Sequence, residues 1–126
     1  MTTATITHAD LDNFTGTTQW YKGTLGLLFT DGIHFLAEQA GAHWLIDVVA
    51  SYQPQLNRNP RLADFQLWQI RRTKGKNPAG VTVTCRGDSD EPAVVTQHIP
   101  YSDFPESLLP LEWYVEGGVM LLKSEH

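Results

Sequence analysis

The stretch WLIDVVASY (residues 44–52) and the stretch FQLWQIRR (residues 65–72) decide the fold, because their apolar residues recur with different periods. The apolar side chains of the first stretch fall within one arc of about 140° when successive residues turn by about 100°. This pattern predicts an amphipathic helix that ends at Pro54. The second stretch is short, apolar and aromatic, which predicts a strand. The chain therefore changes from helices to strands across a linker at residues 55–63.

Shorter elements are predicted before this helix. Thr7 is a candidate N-cap for a helix that carries acidic residues in its first turns and ends at Gly16. Residues 19–21 and 25–29 are typical of two short strands joined by a turn at Gly23. The N-terminal part of the chain therefore combines a short helix with two strands.

The Asp31-Gly32 pair permits two interpretations. The apolar residues of positions 33–40 recur at helical spacing, Thr30 or Asp31 can cap the start, and Gly41 can close the end. The alternative is a hairpin that turns at Asp31-Gly32, because Asp-Gly is a strong two-residue turn signal. We favour the helix.

The second half of the chain is predicted to form a β-sheet. After residues 65–72, further strands are predicted at residues 81–85, 94–99, 111–116 and 119–122. The Gly117-Gly118 pair between the last two suits the primed turn of a hairpin. The chain is therefore assigned to the α+β class, with N-terminal helices packed on one face of a mainly antiparallel β-meander.

Length and composition agree with one compact domain. The chain has 126 residues, of which 41% are hydrophobic and 18% charged, so we expect a single globular domain over residues 1–126. One cysteine excludes an intrachain disulfide and a cysteine-rich zinc site. The first residues lack the pattern of a signal peptide, and no apolar run reaches the ~18 residues of a membrane span. The cytoplasm is therefore the expected compartment.

No motif with a specific mechanism is present, since the sequence lacks the P-loop and dinucleotide-binding glycine patterns, HExxH and GxSxG. We therefore expect no catalytic residue and no cofactor. Two His-acid pairs at i, i+4 spacing remain, His34 with Glu38 and His43 with Asp47. The alternative hypothesis is a metal-dependent enzyme that uses these four residues. We favour solvated helix pairs without a metal.

Two other places in the sequence have side chains that could act as a nucleophile or bind a metal ion. Cys85 shares one face of its predicted strand with Val81 and Val83, and free cysteine is often buried, so we predict a core thiol rather than a nucleophile. Residues 88–91 have the sequence DSDE, which lacks the ligand alternation of an EF-hand. We interpret them as an acidic surface turn.

Charge is distributed unevenly along the chain. The net charge is -5, yet residues 58–76 hold six basic side chains and one acidic side chain. The flanking segments are acidic, with one basic and five acidic side chains in residues 1–57 and two basic and eight acidic in residues 77–126. The basic segment can face a partner or another copy of the chain, or it can protect the strands against aggregation. The candidate partner-binding residues are Arg71, Arg72, Lys74 and Lys76.

Phe35 is the remaining candidate partner contact. On a helix it lies away from the stripe of Ile33, Leu36 and Ala37, so it can anchor a partner or pack under the sheet or a loop. The partner is expected to be a protein of unknown identity. Nucleic acid is disfavoured because the basic segment is short and the whole chain is acidic. A homodimer and a monomer are both compatible with the charge distribution.

Runs along nearly the whole chain resemble a family of small uncharacterised bacterial proteins, also met on phages and plasmids. The resemblance lies in FTGT (14–17), WYK (20–22), FTDGI (29–33), LAEQAGA (36–42), WLID (44–47), FQLW (65–68), VTQ (95–97), YSDF (101–104) and VMLL (119–122). It implies a compact one-domain protein and transfers no catalytic residue. The expected function is a small protein-interaction or regulatory module, such as an accessory protein of a mobile element.

Overall fold

A computed structural model describes residues 6–15, 19–73 and 80–126. Within these ranges the helices are α1 (His8–Asp12), α2 (Asp31–Ala40), α3 (His43–Leu56) and α4 (Pro60–Asp64). The strands are β1 (Trp20–Lys22), β2 (Leu28–Thr30), β3 (Phe65–Arg72), β4 (Val81–Arg86), β5 (Val95–Ile99), β6 (Leu111–Glu116) and β7 (Val119–Leu122). Short 3-10 turns occur at Thr24–Gly26, Glu106–Leu108 and Lys123–Glu125.

The strands form one sheet in the order β1-β2-β7-β6-β3-β4-β5. Neighbouring strands are antiparallel except β2 and β7, which run parallel and pair Leu28 with Val119. The α+β class is confirmed, whereas the predicted antiparallel meander is only partly correct because the sheet is mixed. The cause is the N-terminal hairpin of β1 and β2, which joins the sheet beside β7 instead of standing apart from it.

The main core lies between one face of this sheet and helices α2 and α3. Trp68 of β3 and Trp113 of β6 are paired across the strands, and both are fully buried, with ring centroids 6.4 Å apart. Leu45 and Val49 of α3 are buried in the same cluster, and the ring of Tyr52 lies 6.2 Å from that of Trp68. These contacts hold α3 across the middle of the sheet.

A buried amide pair also links α3 to β3. Gln53 and Gln66 are 7% and 0% exposed, and each side chain donates to the other's amide oxygen at 2.9 Å. Gln66 also donates to the Leu62 carbonyl and accepts from Trp68 Nε1 at 2.8 Å. Buried polar groups without hydrogen-bond partners destabilise a fold. The Gln66 side chain provides a partner for three such groups at once.

Helix α1 begins at the predicted N-cap. The Thr7 side chain accepts from the Asp10 N–H, and the Thr7 N–H donates to the Asp10 carboxylate at 2.9 Å, which completes a capping box. The helix ends at Asp12, while the predicted stop at Gly16 lies outside the described residues. Part of the predicted strand at residues 25–29 is wrong, because a 3-10 turn precedes β2 there.

Helix α2 begins at the Asp31-Gly32 pair, so the hairpin alternative is wrong. Thr30 is the N-cap, and Gly41 closes the helix with φ 61° in the left-handed region. A second cap comes from the buried carboxylate of Glu125, which accepts from Thr30 Oγ1 at 2.6 Å and from the Gly32 N–H at 3.2 Å. Negative charge is favourable at this end of a helix, so Glu125 stabilises the start of α2.

The chain around Pro54 differs from the prediction. Helix α3 continues to Leu56 with Pro54 in its last turn, where the missing N–H removes one hydrogen bond close to the helix end. The predicted linker at residues 55–63 contains most of α4, whose N-cap Asn59 accepts a backbone N–H at 3.0 Å and precedes Pro60. No helix in the described part of the chain is long and apolar enough to cross a bilayer.

The strands of the second half confirm the local predictions closely. Strand β3 spans the predicted residues, β4 extends one residue further and β5 begins one residue later. The hairpin of β6 and β7 turns at Gly117 and Gly118, whose φ angles of 56° and 83° suit a primed turn. Thr82 and Thr84, on the face of β4 opposite Cys85, are buried as well.

The sheet face opposite the main core, here named the outer face, has its own small apolar surface. Leu67 is 6% exposed yet lies outside the main core. Phe65 and Tyr114 form a half-buried pair with ring centroids 5.1 Å apart. Because side chains alternate along a strand, Gln69 and Arg71 of β3 share this face with Leu67. The outer face thus leads toward the arginines that end β3.

Candidate interaction grooves

Arg71 and Arg72 end strand β3 and line a surface groove of about 640 Å³. The opposite wall comes from the connection between β5 and β6, so residues distant in sequence meet here. The groove is lined by Gln69, Arg71, Arg72, Glu106, Ser107, Leu109 and Pro110. We name it the arginine groove.

The two guanidinium groups of this groove differ in their partners. Arg72 Nη2 lies 2.7 Å from Glu106 Oε1, and the two side chains are 35% and 77% exposed. Solvent screens such a pair, so its contribution is small. Arg71 is half-buried and forms no hydrogen bond or ion pair with any residue that the structure describes. The groove therefore presents an uncommitted guanidinium beside a weakly paired one.

The wall that faces the arginines is anchored in the core. Leu108 is fully buried and Phe104 is 4% exposed, which ties this connection to the main cluster. The hydroxyl of Ser107 donates to the Ile6 carbonyl at 2.7 Å. The wall is thus held before any ligand binds, and a preformed site saves the ordering entropy of binding.

A second groove of about 410 Å³ adjoins the first and shares Gln69 and Pro110 with it. Its floor is apolar, because Leu11, Leu111 and Leu122 line it and are buried. Its rim is polar and consists of His8, Asp12, Glu112, Lys123 and Ser124. We name it the leucine groove.

Side chains on the rim of the leucine groove are mostly held in place. Lys123 Nζ donates to Glu112 Oε1 at 2.8 Å, and this hydrogen bond raises the pKa of Lys123 above its ordinary value. The Ser124 hydroxyl donates to the Leu11 carbonyl at 3.1 Å. Gln69 differs, since its half-buried side chain makes no hydrogen bond to any described residue. A free amide therefore stands where the two grooves meet.

The other predicted partner contacts lie elsewhere. Lys74 and Lys76 fall outside the described residues. Phe35 is half-buried and packs against the main core, with its ring centroid 5.1 Å from that of Phe14. These contacts agree with the interpretation in which the Phe35 side chain packs inward. Its role in partner binding stays a prediction.

Of the two predicted His-acid pairs, His34 with Glu38 is present and His43 with Asp47 is not. His34 Nε2 and His43 Nε2 lie 3.6 Å and 3.2 Å from the same Glu38 oxygen, so α2 and α3 bring these three side chains together. Asp47 accepts instead from Thr24 Oγ1 at 2.7 Å. The expected pair of His43 with Asp47 is therefore not formed.

A group of three side chains whose ligand atoms lie close enough together to hold a metal ion occurs elsewhere in the described chain. Asp88, Asp90 and Glu91 bring one ligand atom each within 4.8 Å of one another, whereas the histidine cluster does not meet this condition. Two of these acids are exposed, and Glu91 is paired with Arg61. The Glu91 N–H donates to the Asp88 carbonyl at 3.1 Å, as in the predicted acidic turn.

Cys85 is a core residue, as predicted. It is fully buried, and burial raises the pKa of its thiol to about 12. A thiol needs to ionise to act as a nucleophile, so Cys85 is unreactive near neutral pH. The described structure offers it no role beyond packing.

The wall of the arginine groove was not among the predicted contact residues. The connection between the predicted strands at residues 94–99 and 111–116 includes the segment FPESLLP (residues 104–110) and is far longer than a hairpin turn. Strands β5 and β6 are not neighbours, and the connection has to cross the ends of β4 and β3 to join them. The length of this connection and the prolines within it are the signal that could have indicated a crossing over the sheet end.

Fold and grooves together define a small α+β protein with a mixed seven-stranded sheet and two adjoining surface grooves. The chain belongs to a family of unknown function, DUF6876, whose model matches residues 5–126. This match confirms the resemblance to a family of uncharacterised proteins. No curated protein and no solved structure matches the chain.

Proposed function

We propose that this protein is a protein-interaction module, and that the arginine groove binds an acidic segment of a partner protein. The observation that carries the proposal is Arg71, which lines the groove and is uncommitted among the described residues. Leu109 and Pro110 supply apolar surface beside it. A guanidinium group beside apolar surface suits a polypeptide segment with a carboxylate better than it suits a free inorganic anion.

The chemistry of arginine favours a carboxylate at this place. A guanidinium presents donors in a planar fork that matches a carboxylate, and such charge-assisted pairs are among the stronger hydrogen bonds in proteins. The remainder of the chain is acidic, with a net charge of -5 overall. An acidic partner is therefore attracted at the groove and repelled elsewhere, which favours one docking position over non-specific adhesion.

Selection of random peptides displayed on phage against the purified protein tests this proposal. We expect the selected peptides to be enriched in Asp and Glu. Arg71→Ala should weaken their binding about tenfold or more, because a charge-assisted contact is lost. Isothermal titration calorimetry with synthetic copies of the selected peptides gives the affinities.

Arg58→Ala is the matched control, because Arg58 is an exposed arginine of the same basic segment and does not line the groove. Its affinity for the peptides should stay within about twofold of the wild type. Equal losses for Arg58→Ala and Arg71→Ala, or no acidic enrichment, would reject the arginine groove as the contact surface. Arg71-dependent binding of succinate without any peptide binding would assign the groove to a small molecule and overturn the interaction function.

A further inference from the structure

We propose that the partner segment is an extended polypeptide that crosses both grooves, with an apolar side chain in the leucine groove and a carboxylate on Arg71. Between these two contacts the side chain of Gln69 binds the backbone of the segment. The inference rests on the proposed function of the arginine groove and adds the kind of segment that the protein recognises.

Gln69 carries the argument for a polypeptide. Its amide offers donors and an acceptor, and a peptide bond offers the complementary acceptor and donor. Gln69 lines both grooves and has no hydrogen-bond partner among the described residues. Its neighbours at the leucine groove, Lys123 and Ser124, are already engaged in hydrogen bonds. An extended backbone passing from one groove to the other would satisfy the Gln69 amide.

The leucine groove has the composition of a pocket for one apolar side chain. Its floor of Leu11, Leu111 and Leu122 would bury an aliphatic group. Lys123 and Glu112 on its rim neutralise each other. Asp12 on the same rim then disfavours an acidic side chain here, so the acidic requirement falls on the neighbouring groove.

The topology sets the spacing between the two side chains. The arginine groove is built on β3 and the leucine groove on β6 and β7, and β6 lies between the other two strands. Strands lie about 4.8 Å apart, and Leu122 is level with Trp68, three positions before Arg71. The two contacts are therefore about 14 Å apart, which an extended chain spans in about four residues. Side chains alternate along an extended chain, so two side chains that face the protein are an even number of positions apart. The recognised pattern is therefore an apolar residue and an acidic residue with three residues between them, in either chain direction.

Short synthetic peptides test this spacing. The probes are acetylated and amidated peptides containing Leu-Ser-Ser-Ser-Asp or Asp-Ser-Ser-Ser-Leu, with versions that place the Leu and Asp side by side or six residues apart. We expect the better of the two directions to bind about tenfold or more tightly than its misplaced versions. Replacing Asp by Lys, or Leu by Ser, should reduce the affinity by a similar factor.

Methylation of the backbone nitrogen of the central serine in these peptides tests the role of Gln69. In the wild type this change should weaken binding about fivefold or more, because the N–H donor to Gln69 is lost. In Gln69→Ala the same methylation should have little further effect. Gln55→Ala is the control, because Gln55 is exposed on α3 and lines neither groove. It should retain the full sensitivity to methylation.

The outcomes separate this inference from the proposed function. Arg71-dependent binding of acidic peptides with no preference for spacing, and with equal methylation effects in wild type and Gln69→Ala, would overturn the inference and leave the proposed function standing. Loss of Arg71 dependence in every peptide would overturn both. A methylation effect that depends on Gln69, together with a preference for three residues between the Leu and the Asp, supports both.

Discussion

At Gly32, in the first turn of α2, a side chain would occupy the place of the Glu125 carboxylate. A Cβ atom there would lie 2.5 Å from Glu125 Oε1 and 2.6 Å from Leu122 Cδ1, closer than non-bonded atoms approach. In an ordinary helix, replacing glycine by alanine stabilises by about 1 kcal/mol. Here we predict that Gly32→Ala lowers the free energy of unfolding by about 1–3 kcal/mol, because the site is overpacked. Urea unfolding measures the change.

Glu125→Ala provides the matched background for this test. Alone it removes the acceptor of the Thr30 hydroxyl and the Gly32 N–H, and should cost about 1–3 kcal/mol. In that background Gly32→Ala should cost less than in the wild type, since the nearest obstructing atom has gone. Equal costs in the two backgrounds would contradict the steric explanation and assign the effect to the backbone.

Cys85 makes stability depend on pH above the ordinary pKa of a thiol. Its pKa is raised from 9.0 to about 12 by burial, so between these values the folded chain keeps a proton that the unfolded chain releases. The unfolded state then binds fewer protons, and stability falls as pH rises through this window. We predict a contribution of at most about 1.4 kcal/mol per pH unit, measured by urea unfolding at several alkaline pH values.

Cys85→Ala isolates this contribution, because alanine does not titrate. The variant should be less stable at pH 7, since it leaves a small cavity, yet its stability should fall less steeply than that of the wild type at alkaline pH. The raised pKa of Lys123 acts in both proteins and cancels in the comparison. Identical slopes for the two proteins would show that the thiol does not contribute.

The packing of helix α3 on strand β3 depends on the Gln53 and Gln66 amide pair. The Gln66 side chain forms hydrogen bonds with Gln53, the Leu62 carbonyl and Trp68 Nε1. The Gln53 side chain forms hydrogen bonds with Gln66 and the Val49 carbonyl. Each buried polar group that loses its partner costs about 1–3 kcal/mol. We therefore predict that Gln66→Met destabilises by at least about 1 kcal/mol more than Gln53→Met, as measured by chemical unfolding.

The double variant of Gln53 and Gln66 to methionine completes the cycle. It removes both amides together, so its cost should be smaller than the sum of the single costs. It still leaves the indole N–H of Trp68 without its acceptor and should remain less stable than the wild type. Additive costs would show that the two amides do not act as a pair.

Elements with a strong local signal were predictable from sequence, and elements set by distant contacts were not. Helix α2 and the β6–β7 hairpin follow from caps, periodicity and the Gly117-Gly118 turn. The place of β2 beside β7 depends on side chains about ninety positions away, which local patterns do not encode. The same holds for the grooves, since charge indicated Arg71 and Arg72 but only the tertiary fold brings residues 106–110 against them.

The whole molecule is joined by strand β7, which lies between β2 from the first part of the chain and β6 from the last. We predict that native-state hydrogen exchange detects one cooperative unit that includes α2, β2, β3, β6 and β7. The edge strands β1 and β5 should exchange faster, because each has one unpaired side. Exchange measured by mass spectrometry at increasing urea concentration gives the opening free energies.

Met120→Ala tests this cooperativity. Met120 of β7 is fully buried and pairs with Phe29 on one side and Val115 on the other. The substitution should lower the opening free energy of α2 and of β3 by similar amounts, typically about 2–5 kcal/mol for such a cavity. An effect confined to the strands near one side would show that the two parts of the chain open independently.

The parallel pairing of β2 with β7 has a consequence for synthesis on the ribosome. Leu28 finds its partner only when Val119 has been made and has left the exit tunnel. Until then the nascent β1–β2 hairpin has a free strand edge, and such edges invite pairing with other chains. We therefore expect mispairing of this edge to be most frequent between the emergence of β2 and the emergence of β7 from the tunnel.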